Sequence, residues 1–234
     1  MTAEYFLGLD LGQTQDFTAM AVLERRAVAV AGGKPEYALR HLQRFPLGTA
    51  YTAIVPAVAA LRRNEPLRQA PLVVDQTGVG RAVVDMLRQT ASSVIAVTIT
   101  GGHTVNHAED GSYHVPKKEL ITALQVVMQG RRLQIARSLP DAATLVRELQ
   151  QFQVKITAAA NETFGVWRNG QHDDLVLAVA LACWWSERTP PFEAPTAMPI
   201  RGGERLLERM AHSQTQVMRV GLFGLGSDRK ADLR

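Results

Sequence analysis

At 234 residues, with hydrophobic residues at 46% and charged residues at 21%, the chain is long enough for one well-buried domain plus a tail. A single cysteine, Cys183, excludes an internal disulfide and lies in the apolar run LVLAVALACWW, where a core role is expected. No apolar stretch reaches the ~20 residues of a membrane helix, the acidic first residues do not read as a signal peptide, and the net charge of +4 permits nucleic-acid binding without requiring it.

The first strand is expected to run to about Leu11, followed by a second in TAMAVLE, with VAVAGG and EYALRHLQRF as antiparallel continuations around a Gly32-Gly33 turn. YTAIVPAVAALRRNE has helical spacing, with Pro56 expected to kink it or to place its start near Val55. APLVVD reads as a short buried strand, GVGRAVVDMLRQT as an amphipathic helix entered through glycines, and SSVIAVTIT as the next strand. This alternation implies a right-handed crossover and a parallel pair, so the class is mixed α/β. In HTVNHAEDGSYH a hairpin turns at Asp110-Gly111, and Pro116 precedes a helix carrying Lys117, Lys118 and Glu119 in its first turn. SLPDAATLVRELQQF gives another helix, and VKITAAANETFGVW is read as a hairpin turning at Asn161. HDDLVLAVALACWWSER is the last core helix. The domain is expected over 1–188, a Pro/Gly-rich linker over 189–203, and a C-terminal helix with a charged tail that need not fold over 204–234.

Acidic residues mark the edges of three apolar elements: Asp10 ends the first strand, Asp75 ends PLVVD, and Asp173 and Asp174 open the last helix. A carboxylate beside a strand covered on both faces needs a partner, which can be a metal ion, a phosphate-bearing ligand or an ordinary Arg. Carboxyl ends of parallel strands open onto a shared crevice, so Asp10 and Asp75 become neighbours if their strands pair. Taken singly, each Asp also fits a turn or helix cap. Together, and with Gly12, Gly78 and Gly80 close by, they favour an all-oxygen site for a divalent cation such as Mg2+ or Mn2+. Lys117 and Lys118 oppose the helix dipole at a helix start and suit phosphate contacts, or else a solvated face. Arg62-Arg63 and Arg131-Arg132 read as solvent-facing, and His103 and His107 lack the thiolates and setting of a zinc site.

GLDLGQTQDFTAMAV, VVDQTGVGRAVVDMLR, VPKKELITAL and HDDLVLAVALACW, in this order over roughly residues 4–187, resemble the nuclease domain of phage large terminase subunits, within the RNase H-like, retroviral-integrase-like superfamily. The resemblance implies an RNase H-like mixed sheet with helices on both faces, and a metal-dependent endonuclease that cuts concatemeric viral DNA during packaging. It places two divalent cations on Asp10, Asp75 and Asp174, with Asp173 and Asp16 as further metal-binding candidates. His172 is left to assist proton movement or to cap the helix, the latter favoured. Double-stranded DNA is the implied partner, in the host-cell cytoplasm. No G-x-x-x-x-G-K-[ST] motif occurs, so the packaging ATPase is expected to be another polypeptide, a partner like the portal, or to be lost. Two alternatives are a Holliday-junction resolvase, which would use the same acids, and a phosphotransferase of the sugar-kinase and actin-like type, which shares the DLGQT run.

Overall fold

The structure is a computed structural model that describes residues 3–12, 16–28, 33–78, 81–158, 172–190 and 217–219, with 152–158 and 217–219 described by backbone alone. In chain order the elements are β1 (Ala3–Asp10), β2 (Ala19–Arg26), β3 (Glu36–Arg44), α1 (Tyr51–Arg62), β4 (Leu72–Asp75), α2 (Arg81–Thr90), β5 (Val94–Thr100), β6 (Asn106–His107), β7 (Tyr113–Pro116), α3 (Lys117–Gln129), β8 (Leu133–Ala136), α4 (Ala142–Ala158), α5 (Asp174–Arg188) and β9 (Val217–Arg219). The strands form one mixed sheet in the order β6-β7-β5-β4-β1-β2-β3-β8-β9. The β1-β2-β3 meander is antiparallel, whereas β4 joins β1, β5 joins β4 and β7 joins β5 in parallel.

Period-two alternation assigns the strand residues to two cores. Leu7, Leu9, Met20, Val22, Leu72 and Val74 pack with Ile54 and Val58 of α1 and with Val83, Val84 and Leu87 of α2. Phe6, Ala19, Ala21, Leu23 and Val73 face the other way, onto Leu120 and Leu124 of α3, Leu145 of α4 and the apolar body of α5. Helix α5 is buried almost all round, from Asp174 to Trp184, as its nearly continuous apolar sequence requires. It can lie directly on β1 because Gly8 has no side chain: a Cβ there would sit 1.9 Å from the Ala178 carbonyl oxygen. The sheet is therefore covered by helices on both faces, and this close approach of helix to strand falls two residues before Asp10.

Several expectations are corrected. Pro56 neither starts nor shortens α1, which runs from Tyr51 to Arg62 through it. Its first turn is closed by the Ala53 and Ile54 N–H groups on the Ala50 carbonyl at 2.8 and 3.1 Å, and Pro56 and Thr52 both lie on the exposed face, where water can take the carbonyl that the proline leaves unpaired. The segment 154–158, read as the start of a hairpin, continues α4, while the expected turn at Asn161 lies outside the described residues. Strand β8 was not anticipated; its four residues alternate buried and half-buried beside β3. Val217–Arg219, inside the expected C-terminal helix, is a strand paired with β8, and the rest of that helix lies outside the described residues, as does the Gly32 side of the early turn.

Arg62 and Arg132 do not face solvent. Arg62 is buried and donates to the carbonyls of Ala70 (2.6 Å) and Arg68 (3.2 Å), while Arg132 makes a two-point ion pair with Glu187 at 2.8 Å in each arm. Their neighbours Arg63 and Arg131 are exposed. Cys183 is fully buried, and burial pushes its thiol up, as an inert core cysteine requires.

Candidate active site

The register of the parallel β1–β4 pair sets Asp10 directly beside Asp75. By alternation both lie on the α5 face, two residues beyond Gly8 and Val73, and both are about nine-tenths buried (9% and 8% exposed). The N-terminus of α5 brings Asp173 and Asp174 to the same place. Asp174, the first helical residue, is 4% exposed.

Burial first, then repulsion from Asp75, Asp173 and Asp174, pushes the Asp10 carboxyl well above the usual carboxylate range, against a smaller opposing pull from Lys117. Burial raises Asp75 as well, offset in part by hydrogen bonding from Thr77, whose backbone N–H lies 2.8 Å away, and by a hydrogen bond shared with Asp10. Asp174 is raised by burial despite a guanidinium on both of its oxygens: Arg44 Nε at 2.6 Å and Nη2 at 3.1 Å. The same Nη2 donates to Glu148, itself pushed up to about 7 by burial and by Asp174. Arg44 is further fixed by its backbone N–H on Asp141 (2.9 Å) and by the Phe17 ring, 4.8 Å from the guanidinium carbon.

Asp173 occupies the N-cap position of α5, but its side chain makes no cap hydrogen bond and turns instead to Lys117 Nζ at 2.7 Å. His172 is therefore not the cap; it precedes the cap residue and stands edge-on to Phe17 at 4.7 Å. Lys118 is exposed on the first turn of α3, and Asp16 is exposed at a bend. Gly12, however, is packed hard against the Asp16–Phe17 backbone: a Cβ there would lie 2.2 Å from the Asp16 carbonyl oxygen. Gly12 also donates its N–H to Thr18 Oγ1 at 3.1 Å and accepts from the Tyr51 hydroxyl at 2.8 Å, which ties it to the residue before β2 and to α1 close after Asp10. His107 packs on Tyr113 at 4.6 Å in the hairpin.

The donor chemistry fits hard divalent cations: the acids are all-oxygen ligands held together at a cost that a cation would relieve. Among the described residues, however, no three His, Cys, Asp or Glu groups are gathered closely enough to hold a metal ion as they stand. Arg44 and Lys117 draw Asp174 and Asp173 toward themselves.

Sequence reading missed Arg44 and Glu148. A signal existed for Glu148, which shares a helical stripe with Ala142, Leu145 and Leu149, all buried. A charge on an apolar stripe calls for a buried partner. Arg44 gave none, since a strand-end arginine is unremarkable until α5 is placed beside it.

A mixed sheet opening with an antiparallel meander, continued by parallel strands and crossed by a buried helix that delivers acids to the end of β1, defines an RNase H-like domain. The structure superposes on the large terminase nuclease from thermophilic phage G20c with a TM-score of 0.51 at 23% identity, covering 77% of this chain and 81% of that one. A human cytomegalovirus terminase nuclease domain soaked with manganese aligns with a TM-score of 0.45 at 13% identity over 76% of this chain and 82% of that one. The family model of the terminase RNaseH-like domain matches residues 7–183, and the chain belongs to that family. Terminase large subunits of Thermus phage G20c and Thermus virus P23-45 are 26% and 25% identical over 178 residues, 76% of this chain. The chain spans only 31% of the length of these curated relatives.

Proposed function

We propose that the chain is a metal-dependent endonuclease that hydrolyses phosphodiester bonds of double-stranded DNA, with Asp10, Asp75 and Asp174 as ligands of two divalent cations, Mg2+ or Mn2+. The observation that carries this reading is the register pair of Asp10 and Asp75, closed over by the acidic N-terminus of α5, in a chain of the terminase RNaseH-like family. Asp10 is repelled by Asp75 and by both α5 acids, which suits a carboxylate that bound cations would neutralise. Asp75 then serves one position and Asp174 the other, with Asp173 and Asp16 available to orient water or a further ion. Bound cations would supply the charge that activates a water and stabilises the leaving 3′ oxygen.

The chain's own groups do the rest. The Thr77 N–H holds Asp75 in place. Gly8 lets α5 approach β1 closely enough for its acids to reach Asp10. Lys117, beside Asp173, and the exposed Lys118 are the candidates to meet phosphate oxygens, which position a duplex without reading its sequence. The hairpin of β6 and β7 is the element proposed to reach over the duplex. His172 lies near enough to Asp174 to feel its charge and is the candidate to move a proton at the attacking water. Within a virus-infected cell this activity would cut concatemeric DNA for packaging, in the host cytoplasm, together with a packaging ATPase and portal.

Incubation of the protein with supercoiled plasmid in Mn2+, in Mg2+ and in EDTA tests the reading. Nicking and linearisation with either ion, none in EDTA and no requirement for ATP are the expected results. Cleavage that persists in EDTA, or that demands a four-way junction, would overturn it.

A further inference from the structure

We propose that Arg44 is a built-in counter-cation seated on Asp174, so that the cation position at Asp174 is the weaker and the later of the two to load; this rests on the metal-site reading above. Its guanidinium donates to both Asp174 oxygens, at 2.6 and 3.1 Å, in the paired geometry that makes arginine–carboxylate contacts strong. It is not a loose surface side chain that happens to reach an acid. The side chains of Arg44 and Asp174 are 17% and 5% exposed. A second buried carboxylate, Glu148, holds the same Nη2, the Phe17 ring covers the guanidinium at 4.8 Å, and the Arg44 backbone is tied to Asp141.

A divalent cation arriving at Asp174 therefore meets a like charge and must break or share two charge-assisted hydrogen bonds. Asp10 and Asp75 present a different surface, two buried carboxyls side by side in register, where an incoming cation finds two acids to neutralise. The asymmetry orders the loading. Arg44 acts on Asp174 and through it, so it is a positioning residue rather than a catalytic one.

Titration calorimetry of Mn2+ into the full chain without DNA reads this directly. The wild type is expected to show one tight step and a second at least about tenfold weaker, the scale of a like charge placed beside a ligand. Arg44→Gln combined with Glu148→Gln removes the guanidinium and its other buried partner together, so that neither is left buried without the other, and circular dichroism checks that the fold is intact. It should tighten the second step at least about tenfold and leave the first unchanged. Arg44→Lys keeps a charge but cannot span both oxygens, and should tighten the second step by less. Two wild-type steps of equal affinity, or a second step that is unchanged or weaker in the variants, would overturn the proposal. A wild type that binds no Mn2+ would instead remove the metal-site reading on which it stands.

Discussion

At the C-terminal end of α5, Arg25 is buried and spends its guanidinium on the helix end, donating to the carbonyls of Ser186, Thr189 (2.7 Å) and Pro190 (3.1 Å) while Nε holds Glu4 at 2.9 Å. At the same end, burial pushes Glu187 up, but hydrogen bonds from Arg132 and Tyr37 outweigh it and hold this carboxyl below its usual range. At the N-terminal end the balance is reversed. Asp10, Asp75, Asp174 and Glu148 are all raised, because burial, joined at Asp10 and Glu148 by repulsion from neighbouring carboxylates, exceeds what Arg44 and Lys117 return. One helix thus carries a charge-matched anchor at one end and an acid-rich, frustrated cluster at the other. Frustrated carboxylates held in place by a rigid frame are a mark of chemistry rather than of stability.

The largest expected effect separates the two ends outright. Asp10→Asn removes one of the mutually repelling charges and a metal ligand together. Plasmid cleavage should fall by more than about 10³-fold while the metal-free protein unfolds at an equal or higher urea concentration. A clear loss of metal-free stability would mean that Asp10 belongs to a structural ion pair, like the acids at the other end. Mn2+ should raise the melting temperature of the wild type and raise that of the variant much less.

Arg25→Met asks the converse question. It removes the guanidinium that holds Glu4 and strips the carbonyl caps from α5, so a loss of about 1–3 kcal/mol is expected from urea unfolding. Cleavage by the molecules that remain folded should be nearly unchanged. Loss of activity out of proportion to unfolding would show that the two ends are not separable.

Gly8→Ala tests what joins them. The added Cβ meets the Ala178 carbonyl, so β1 or α5 must move, at a cost of about 1–3 kcal/mol. Because Asp10 follows on β1 and Asp174 sits one turn before Ala178 on α5, cleavage should fall further than the folded fraction does, by roughly tenfold or more. Equal losses of stability and activity would show that the close approach supports the fold without setting the site.

Much of the N-terminal end was legible beforehand because its acids stand where apolar patterns end. The runs before Asp10 and Asp75 announce buried strands, and LVLAVALACWW after Asp174 announces a buried helix, so each carboxylate was conspicuous against its background. The C-terminal end was not legible. Arg25 and Arg132 occur in strings such as LERRA and GRRLQIA that read equally well as solvated pairs, and only tertiary packing decides which arginine turns inward. Register decides it for Arg25: its strand neighbour Arg26 pairs with Glu24 near the surface, while Arg25 alternates to the face that carries α5. Arg44 escaped notice for the same reason. Its partners Asp174 and Glu148 lie 130 and 104 residues away in sequence, and no local pattern marks such a contact. The four-residue strand β8 was too short for its alternation to stand out, and 154–158 continues a helix although its β-branched residues favour a strand.

The smallest effect concerns pH and isolates Glu148. Its folded-state value of about 7 lies above the ordinary value of 4.5, so the folded protein holds a proton that the unfolded chain releases between those limits. The stabilisation this gives is complete below about pH 4.5 and is lost as pH rises through 7. Asp10, Asp75 and Asp174, also raised, act with the same sign, whereas Glu187, held low, contributes stability that disappears only on acidification below its ordinary range. In EDTA the wild type should therefore lose stability between pH 5 and pH 7.5 as measured by urea unfolding. Glu148→Gln should lose less over the same interval, by on the order of 1–2 kcal/mol, because the neighbouring aspartates keep their share. Glu187→Gln should leave that slope as it is in the wild type. Equal slopes for wild type and Glu148→Gln, or a wild type that gains stability toward pH 7.5, would mean that Arg44 fully neutralises Glu148 and that the N-terminal end of α5 is as well matched in charge as the C-terminal end.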